Sequence, residues 1–412
     1  MDSNKIELMC PVGSLESLYA AIQAGADSVY FGVEQLNMRA RNNSALKIDD
    51  INSIAGICRS HSVKCYLTVN TVLYDHDMAT MKRIINAAVK NGVNAIIAAD
   101  PAVLQYAKKQ NMPVHISTQA NVSNIQSVEF FSAYADVIVL ARELSLKQVG
   151  DINREIARKK ITGPSGNLIK IEIFGHGALC MAISGKCYLS LHSDFASANR
   201  GACIQNCRHS FLVTDKETGN ELEVDNEYIM SAKDLCTIDF LDQLIHAGAS
   251  VLKIEGRGRS PEYVYTVTQC YREAIDAYYK GLYNPTLAAL LKDKLGNVFN
   301  LGFWDGYYLG RKMGEWTSSP GSKATKRKIY LGKGINYFKK VGIAQFKLEA
   351  FTLDVGNEIL IIGPTTGVIQ TTVKTLNIDD VSRDTVYKGE TFCIPVDSQI
   401  RPSDSLYKLV NA

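Results

Sequence analysis

The chain has no long hydrophobic run. None approaches the roughly 20 consecutive apolar residues that span a bilayer, so no transmembrane helix and no membrane partner are expected. The N-terminal decapeptide MDSNKIELMC lacks the basic and apolar regions of a secretory signal peptide. Because disulfides form mainly in exported proteins, the ten cysteines are expected to be cytoplasmic thiols or metal ligands.

The motifs of common hydrolytic sites are also missing. The sequence has neither a G-x-S-x-G elbow nor an H-E-x-x-H zinc motif. None of its seven histidines pairs with another at metal-ligand spacing beside a helical carboxylate. His76, between Asp75 and Asp77, is better explained as part of a polar loop than as a metal ligand. A peptidase needs a nucleophile with a base or a metal-activated water, and neither is evident.

The composition is that of an ordinary globular protein. The chain has 412 residues, 46% hydrophobic and 21% charged, enough for one large domain and a smaller one. A net charge of +3 assigns no partner by itself, and the sequence contains no internal repeat.

Short apolar runs alternate with helical stretches over the first 256 residues, and helical stretches such as 14–25, 81–92 and 239–248 end at glycine. The predicted strands are residues 6–10, 28–32, 64–70, 95–100, 114–119, 137–142, 170–174 and 251–255. Eight βα units in about 250 residues predict an α/β fold with a TIM-like (β/α)8 barrel over residues 1–322. An open doubly wound sheet is the alternative.

Polar residues stand where these strands end. They are Cys10, Asn70, Asp100, Gln119, Arg142, His176 and Glu255. Barrel enzymes place their active sites at this end, so a site is predicted here, although strands also end simply where polar loops begin. Arg257 and Arg259, after the last strand, suit a carboxylate or phosphate, or belong to a solvated turn.

Four cysteines lie in a segment inserted after the seventh strand, at about 175–235. Cys180, Cys187, Cys203 and Cys207 have the spacing C-x6-C-x15-C-x3-C, looser than the C-x2-C pairs of common zinc modules. Small residues and the cations Lys186, Arg200 and Arg208 suit the negative charge of a thiolate-ligated metal. The segment is therefore predicted to hold a metal or iron–sulfur centre, and four free thiols are the alternative.

The composition changes near residue 323. Residues 323–340 contain seven cations and no acid, interleaved with aromatics, which predicts either an RNA-binding stretch or a plain basic linker. The RNA-binding candidates are Lys326, Arg327, Lys328 and Tyr337. Short strands separated by turns then predict a small all-β domain over 323–412, built as a closed barrel.

The stretch 172–190 matches the signature E-x-F-x-x-G-[SA]-[LIVM]-C-x4-G-x-C-x-[LIVM]-S of the peptidase U32 family. The resemblance covers nearly the whole chain, including PVGSLESLYAAIQAGADSVYFG, HISTQANVSN, ANRGACIQNCR and LKIEGRGRSPEYV. The chain departs from the family where it has Met9 and Cys10 in place of Leu-Ala, and Leu301 in place of an arginine. The first change is expected to place an extra thiol near the mouth.

The chain most resembles the prephenate-dependent tRNA uridine hydroxylase subgroup. This resemblance implies oxygen-independent formation of 5-hydroxyuridine at the wobble position, with prephenate as co-substrate and tRNA as partner. It also implies a 4Fe–4S cluster on Cys180, Cys187, Cys203 and Cys207, with Cys236 in reserve, loaded by iron–sulfur assembly machinery. Candidate substrate-binding residues are Arg39, Arg41, Asn70, Gln119, Arg142, His176, Glu255 and Arg257.

Three alternatives stay open. One is a U32-type, collagenase-like peptidase. Another is hydroxylation of a different RNA, such as a ribosomal cytidine. The third is a non-enzymatic RNA-binding module, which the polar barrel mouth disfavours.

Overall fold

The computed structural model describes residues 5–40, 46–212, 214, 216–219, 230–310, 314–318, 321–379 and 381–412. Arg41, a candidate from the sequence, lies outside the described residues. No helix within these ranges is long and apolar enough to cross a membrane.

The first domain alternates strands and helices as predicted. Its strands are β1 (Glu7–Pro11), β2 (Ser28–Phe31), β3 (Lys64–Val69), β4 (Ala95–Ala98), β5 (Val114–Ile116), β6 (Val137–Val139), β7 (Lys170–Gly177), β8 (Asp234–Cys236), β9 (Val251–Ile254) and β10 (Phe303–Trp304). Its helices are α1 (Leu15–Gln23), α2 (Asp50–Ser60), α3 (Met78–Asn91), α4 (Pro101–Lys109), α5 (Ile125–Ser132), α6 (Leu146–Lys159), α7 (Leu189–Asp194), α8 (Leu241–His246), α9 (Pro261–Tyr279) and α10 (Pro285–Gly296).

Local sequence explains where these helices start and stop. Ser14 caps α1, because its side chain accepts a hydrogen bond from the Ser17 backbone N–H at 3.2 Å. Asp100 caps α4 in the same way and also accepts from the Leu73 N–H. Asp100 is therefore a structural cap rather than a residue of the predicted site. Gly92 ends α3 at φ 71°, a conformation that glycine adopts without strain.

Eight parallel strands close into a barrel. β1 to β7 pair in sequence order, β7 also pairs with β9, and β9 pairs with β1. All eight predicted strands are present, so the TIM-like prediction is confirmed and the open sheet is excluded. β7 continues three residues past the predicted end, to Gly177, where it pairs antiparallel with β8. β8 in turn pairs with β10, and the sequence predicted neither of these two strands.

The second domain is all-β, as predicted. Its strands are β11 (Lys326–Phe338), β12 (Ile343–Leu348), β13 (Leu353–Asp354), β14 (Glu358–Gly363), β15 (Gly367–Thr372), β16 (Leu376–Ile378), β17 (Val381–Arg383), β18 (Thr385–Val386), β19 (Thr391–Pro395) and β20 (Ser405–Asn411). Eight of them form an antiparallel sheet in the order β15-β14-β20-β11-β12-β19-β16-β17, and β13 pairs with β18. The described ladders do not join β17 back to β15, so the sheet is open in its pairing.

The basic stretch is not a linker. Most of residues 323–340 form β11, the longest strand of the second domain, which pairs with β12 and β20. Arg327, Lys328 and Lys333 are exposed, while Leu331 packs in the core with Phe346 and Phe392.

The two domains are in direct contact. Ala20 of α1 packs against Leu360, Ile362 and Val368. The Gln23 amide donates to the Thr366 carbonyl at 2.7 Å and accepts from the Val368 N–H at 3.0 Å. This contact holds the β-domain against the outer helices of the barrel.

Candidate active site at the mouth of the barrel

A cavity of about 220 Å³ opens at the C-terminal ends of the barrel strands. Its walls come from the barrel strands and the loops after them, and the cysteine segment covers it. Ten residues singled out from the sequence line it: Arg39, Asn70, Gln119, Arg142, Glu255, Arg257, Cys180, Cys187, Cys203 and Cys207. Residues up to 218 positions apart in the chain thus meet in one place, because parallel strands bring their ends to one rim.

Three other candidates lie elsewhere. Cys10 is fully buried and accepts a hydrogen bond from Thr268 at 3.1 Å, and burial raises the pKa of its thiol to about 12. The expected thiol near the mouth is therefore a core residue. Cys236, the reserve ligand, is buried beside Tyr271, and burial raises its pKa to about 11.

His176 is likewise enclosed. It is only 1% exposed, packed among the rings of Tyr263, Tyr271 and Phe303 at 5.5–6.1 Å between ring centres. Burial lowers the pKa of its imidazole to about 3. His176 does not line the cavity and packs as a neutral aromatic side chain.

Glu255 is the only carboxylate among the described residues that line the cavity. It accepts from Arg39 at 3.3 Å and from the Tyr30 hydroxyl at 3.2 Å. Burial alone would raise its pKa, but Arg39, Arg142 and Arg257 outweigh burial and hold the pKa at about 2. Glu255 is therefore ionised throughout the physiological range.

Arg257 and Arg142 are held by neutral partners. Arg257 donates from one nitrogen to Thr68 at 2.8 Å and Asn37 at 3.1 Å. Arg142 donates to the Ala178 carbonyl at 2.9 Å and lies 3.7 Å above the Phe174 ring. Its Nε is buried with no hydrogen-bond partner. Since neutral groups orient both guanidinium groups, much of their positive charge stays uncompensated.

The cavity is strongly electropositive. Five cationic side chains line it: Arg39, Arg142, Arg208, Lys253 and Arg257. Glu255 is their only acidic counterpart in the described lining, and Lys253 is paired with Glu172 below the cavity, so three positive charges are in excess. Buried charge without partners is costly, so this excess indicates a site for anionic groups.

The cysteine segment is fixed over the cavity at several points. Arg200 forms a two-pronged ion pair with Asp77, at 2.5 and 3.2 Å, and lies 4.3 Å above the Tyr74 ring. Gly201 has φ 77°, and a Cβ there would lie 2.2 Å from the Asn37 carbonyl oxygen, so only glycine allows this approach. The Arg208 guanidinium donates to the carbonyls of Leu179 and Ala232, and thereby ties both ends of the segment together.

The four cysteines of the segment are free thiols that face the same cavity. Burial raises the pKa of Cys207; Arg208 lowers it, and the charges of Cys180, Cys203 and Cys187 raise it further, because the four sulfurs are neighbours. The donor set, four thiols from one segment beside arginines, fits a cluster ligated by four thiolates. Within the described ranges, however, no three His, Cys, Asp or Glu side chains stand in metal-binding geometry. The ligand assignment stays a prediction.

Below the cavity lies a buried ionic network that sequence reasoning missed. Glu172 is fully buried and accepts from Lys253 at 2.7 Å, and its second oxygen lies 3.3 Å from His115 Nδ1. Burial would raise the pKa of Glu172, but Lys253 and His115 lower it. The signal was present: Glu172 and Lys253 each interrupt an apolar predicted strand, and a buried charge requires a partner.

The RNA-binding candidates lie apart from this cavity, on β11. Lys326 pairs with Glu358, and Lys328 with Glu262 at 2.8 Å. Arg327 is exposed. The Tyr337 hydroxyl donates to the Val396 carbonyl and its ring packs on the β-domain core, which gives this residue a structural role.

Comparison with known proteins adds the family. The model of peptidase family U32 matches residues 13–318. A Porphyromonas gingivalis protein named collagenase is 54% identical over 408 residues, covering 99% of each chain. A Bacillus subtilis protein named tRNA hydroxylation protein P1 is 34% identical over 283 residues, covering 67% of this chain and 64% of that one.

A third relative acts on a different RNA by its name. The Escherichia coli 23S rRNA 5-hydroxycytidine C2501 synthase is 33% identical over 278 residues, covering 67% of this chain and 40% of that one. The names of these relatives therefore refer to two kinds of activity, hydroxylation of RNA and cleavage of collagen. The barrel, the signature at 172–190 and the family match agree, and the chain belongs to peptidase family U32.

Proposed function

We propose that this protein is an RNA hydroxylase that forms 5-hydroxyuridine at the wobble position of tRNA, with prephenate as co-substrate. The observation that carries the proposal is the electropositive cavity covered by four free cysteines. Relatives named as tRNA and rRNA hydroxylation proteins supply the reaction class.

The charge of the cavity suits a dicarboxylate. Arg142 and Arg257 present guanidinium groups that neutral partners orient, and guanidinium matches a planar carboxylate in a two-pronged contact. Glu255 holds Arg39 in place and keeps its charge at neutral pH. These residues bind and orient the anion, and the covering segment excludes water.

Cys180, Cys187, Cys203 and Cys207 would hold a 4Fe–4S cluster, with its loading by the assembly machinery part of the same proposal. A cluster held by these cysteines would supply redox-active iron to the reaction. Replacing C5–H by C5–OH is a two-electron oxidation, so an oxygen-independent reaction needs a co-reactant that accepts two electrons and supplies the oxygen atom, a role we give to prephenate. The target base would be extruded into the cavity, as enzymes acting on bases require.

The test is nucleoside mass spectrometry of tRNA from a deletion strain. Loss of 5-hydroxyuridine and its derivatives, restored by the wild-type gene but not by Cys180→Ala, supports the proposal. Cys393→Ala, at a cysteine of the β-domain outside the covering segment, is the matched control and restores the modification. Unchanged tRNA would remove the assigned substrate.

The cluster has its own test. Protein purified without oxygen is expected to be brown and to contain iron, and Cys180→Ala to lose that iron. A colourless protein with bound zinc would contradict the cluster.

Peptidase activity is the second candidate, favoured by the 54% identity to the protein named collagenase. A cysteine nucleophile needs a neighbouring base, and no described residue that lines the cavity is a histidine. Cleavage of denatured collagen by the purified protein, abolished in Cys187→Ala, would favour this candidate over hydroxylation.

A further inference from the structure

Two further hollows continue from the barrel mouth. A side cavity of about 260 Å³ shares Arg39, Gln205, Arg208 and Glu255 with the mouth. An interdomain cleft of about 700 Å³ lies between α9, α10 and the β-domain. Phe299 lines both the side cavity and the cleft, and the chain neighbours Arg259 and Ser260 line one each. The three hollows therefore adjoin one another across this face of the molecule.

Arg259 and Phe299 lie at the boundary between the side cavity and the interdomain cleft. The guanidinium carbon lies 3.7 Å from the centre of the Phe299 ring, and 23% of the side chain is exposed. Its nearest acidic partner, Asp234, lies 4.0 Å away, beyond hydrogen-bonding distance. An arginine stacked on a ring keeps its in-plane donors available for a phosphate, and its outer face can stack on a base.

The interdomain cleft is also lined by cations and neutral hydrogen-bonding side chains. Lys294, Lys326, Arg327 and Lys328 line it together with Glu262 and Glu358, and Lys294 pairs with Glu273 outside the lining, which leaves one positive charge in excess. Both carboxylates are paired with lysines, while Arg327 is exposed and makes no ion pair with a described residue. Amide and hydroxyl side chains complete the walls: Gln269, Asn297, Gln370, Thr371 and Thr372. Cations among neutral donors suit a phosphodiester backbone, with little means of reading base sequence.

We propose that a single strand of the RNA substrate runs from the barrel mouth through the side cavity and along the interdomain cleft. The target base enters the barrel mouth, an adjoining phosphate binds Arg259 above Phe299, and the strand continues through the interdomain cleft past Arg327. This proposal rests on the proposed function, and it assigns RNA binding to the seam between the domains. The β-domain then acts as one wall of the RNA site.

Direct binding of purified tRNA to the full-length protein, measured against salt concentration, tests the path. Arg259→Glu and Arg327→Glu are each expected to weaken binding about tenfold, as for the loss of a charged hydrogen bond. Each should also reduce the slope of log affinity against log salt by about 0.7, the value for one single-strand phosphate contact. Arg259→Lys keeps the charge but loses the planar stack, and we expect an intermediate affinity.

Lys90→Glu is the matched control. Lys90 is an exposed cation in the last turn of α3, at the end of the barrel opposite the mouth, and its reversal should leave tRNA binding unchanged. Thermal unfolding of each variant shows whether a loss of binding reflects a loss of folding, and the exposed position of Arg327 makes its variant the safer one.

The outcomes separate the path from the function. If the wild type binds tRNA and modifies it while both reversals bind as well as Lys90→Glu, the path is wrong and the proposed function stands. If the wild type neither binds tRNA nor restores 5-hydroxyuridine in the deletion strain, both are wrong. Selective loss with the two reversals supports the path.

Discussion

Two carboxylates of the same barrel, the buried Glu172 and the partly exposed Glu255, have opposite surroundings. Glu172 is enclosed below the cavity, with one cation, Lys253, at 2.7 Å. Glu255 lines the cavity, and three arginines lower its pKa. The nearest of them, Arg39, lies 3.3 Å away. Glu172 thus belongs to a closed, neutral pair, whereas Glu255 leaves positive charge in excess. The comparison separates charge that supports the fold from charge that is available to a ligand.

Removing the charge of Glu172 should have the largest effect on stability. Glu172→Gln leaves Lys253 buried without its partner, and breaking a buried pair from one side costs about 3–5 kcal/mol. Urea unfolding measures the loss. The double variant Glu172→Met with Lys253→Met removes both charges and should recover most of the stability. A double variant no more stable than Glu172→Gln would contradict the closed-pair interpretation.

The contribution of Glu255 to the stability of the fold should be lost in acid. Its pKa in the folded protein, about 2, is below the ordinary value of 4.5, so its ionised form stabilises the fold above pH 4.5. That stabilisation, about 3 kcal/mol for a shift of this size, is lost as the pH falls from 4.5 to 2. The stability difference between wild type and Glu255→Gln should therefore shrink over this window. A difference independent of pH would show that the three arginines do not act on Glu255.

The arginines around Glu255 should affect binding more than folding. Arg257→Lys and Arg142→Lys keep the charge but lose the planar two-pronged contact, so prephenate should bind about 10- to 100-fold more weakly. Isothermal titration measures this change, and Arg158→Lys, in an exposed pair with Glu155, is the control. Unchanged affinity with lowered stability would place both arginines in the fold-supporting class with Lys253.

His115 should give the smallest effect. His115→Phe keeps the ring beside Tyr66, whose centre lies 4.4 Å from that of His115, but removes the contact with Glu172. The loss of one hydrogen bond to a charged group predicts about 1–2 kcal/mol in urea unfolding. His115→Asn keeps a hydrogen-bond donor for Glu172 but loses the ring contact with Tyr66. A cost equal to that of Glu172→Gln would show that His115, not Lys253, dominates the network.

The barrel was predictable because its strands are short, apolar and rich in β-branched residues. Ten site residues were also predictable, since strand ends must share one rim and the signature marks the cysteines. β8 and β10 were not, because β8 has a single leucine between Asp234 and Cys236 and β10 has only two residues, so neither stands out as an apolar run. The long charged strand β11 was predicted as an RNA-binding stretch or a basic linker, and not as a strand, because its lysines and tyrosines outnumber its core residues.

The contacts that orient the site could not be read from the sequence. Nothing in the order of residues pairs Lys253 with Glu172, 81 positions away, or brings Arg200 to Asp77. His176 and Cys10 followed apolar runs like the true rim residues, but β7 continues past His176 and α9 covers Cys10 through Thr268. A polar residue at the end of a predicted strand can therefore lie either at the cavity or in the buried core.

The short ladder between β7 and β8 has a consequence for how this segment can change. His176 pairs with Cys236 and Gly177 with Leu235, so the two ends of the inserted segment are joined at its base like the stem of a hairpin. Closing a loop on a preformed stem costs free energy that grows only with the logarithm of loop length, about 0.6 kcal/mol for each doubling. Residues can therefore be added to the segment away from its cysteines with little loss of stability. The stem thus allows the covering segment to change in length while the barrel keeps its structure.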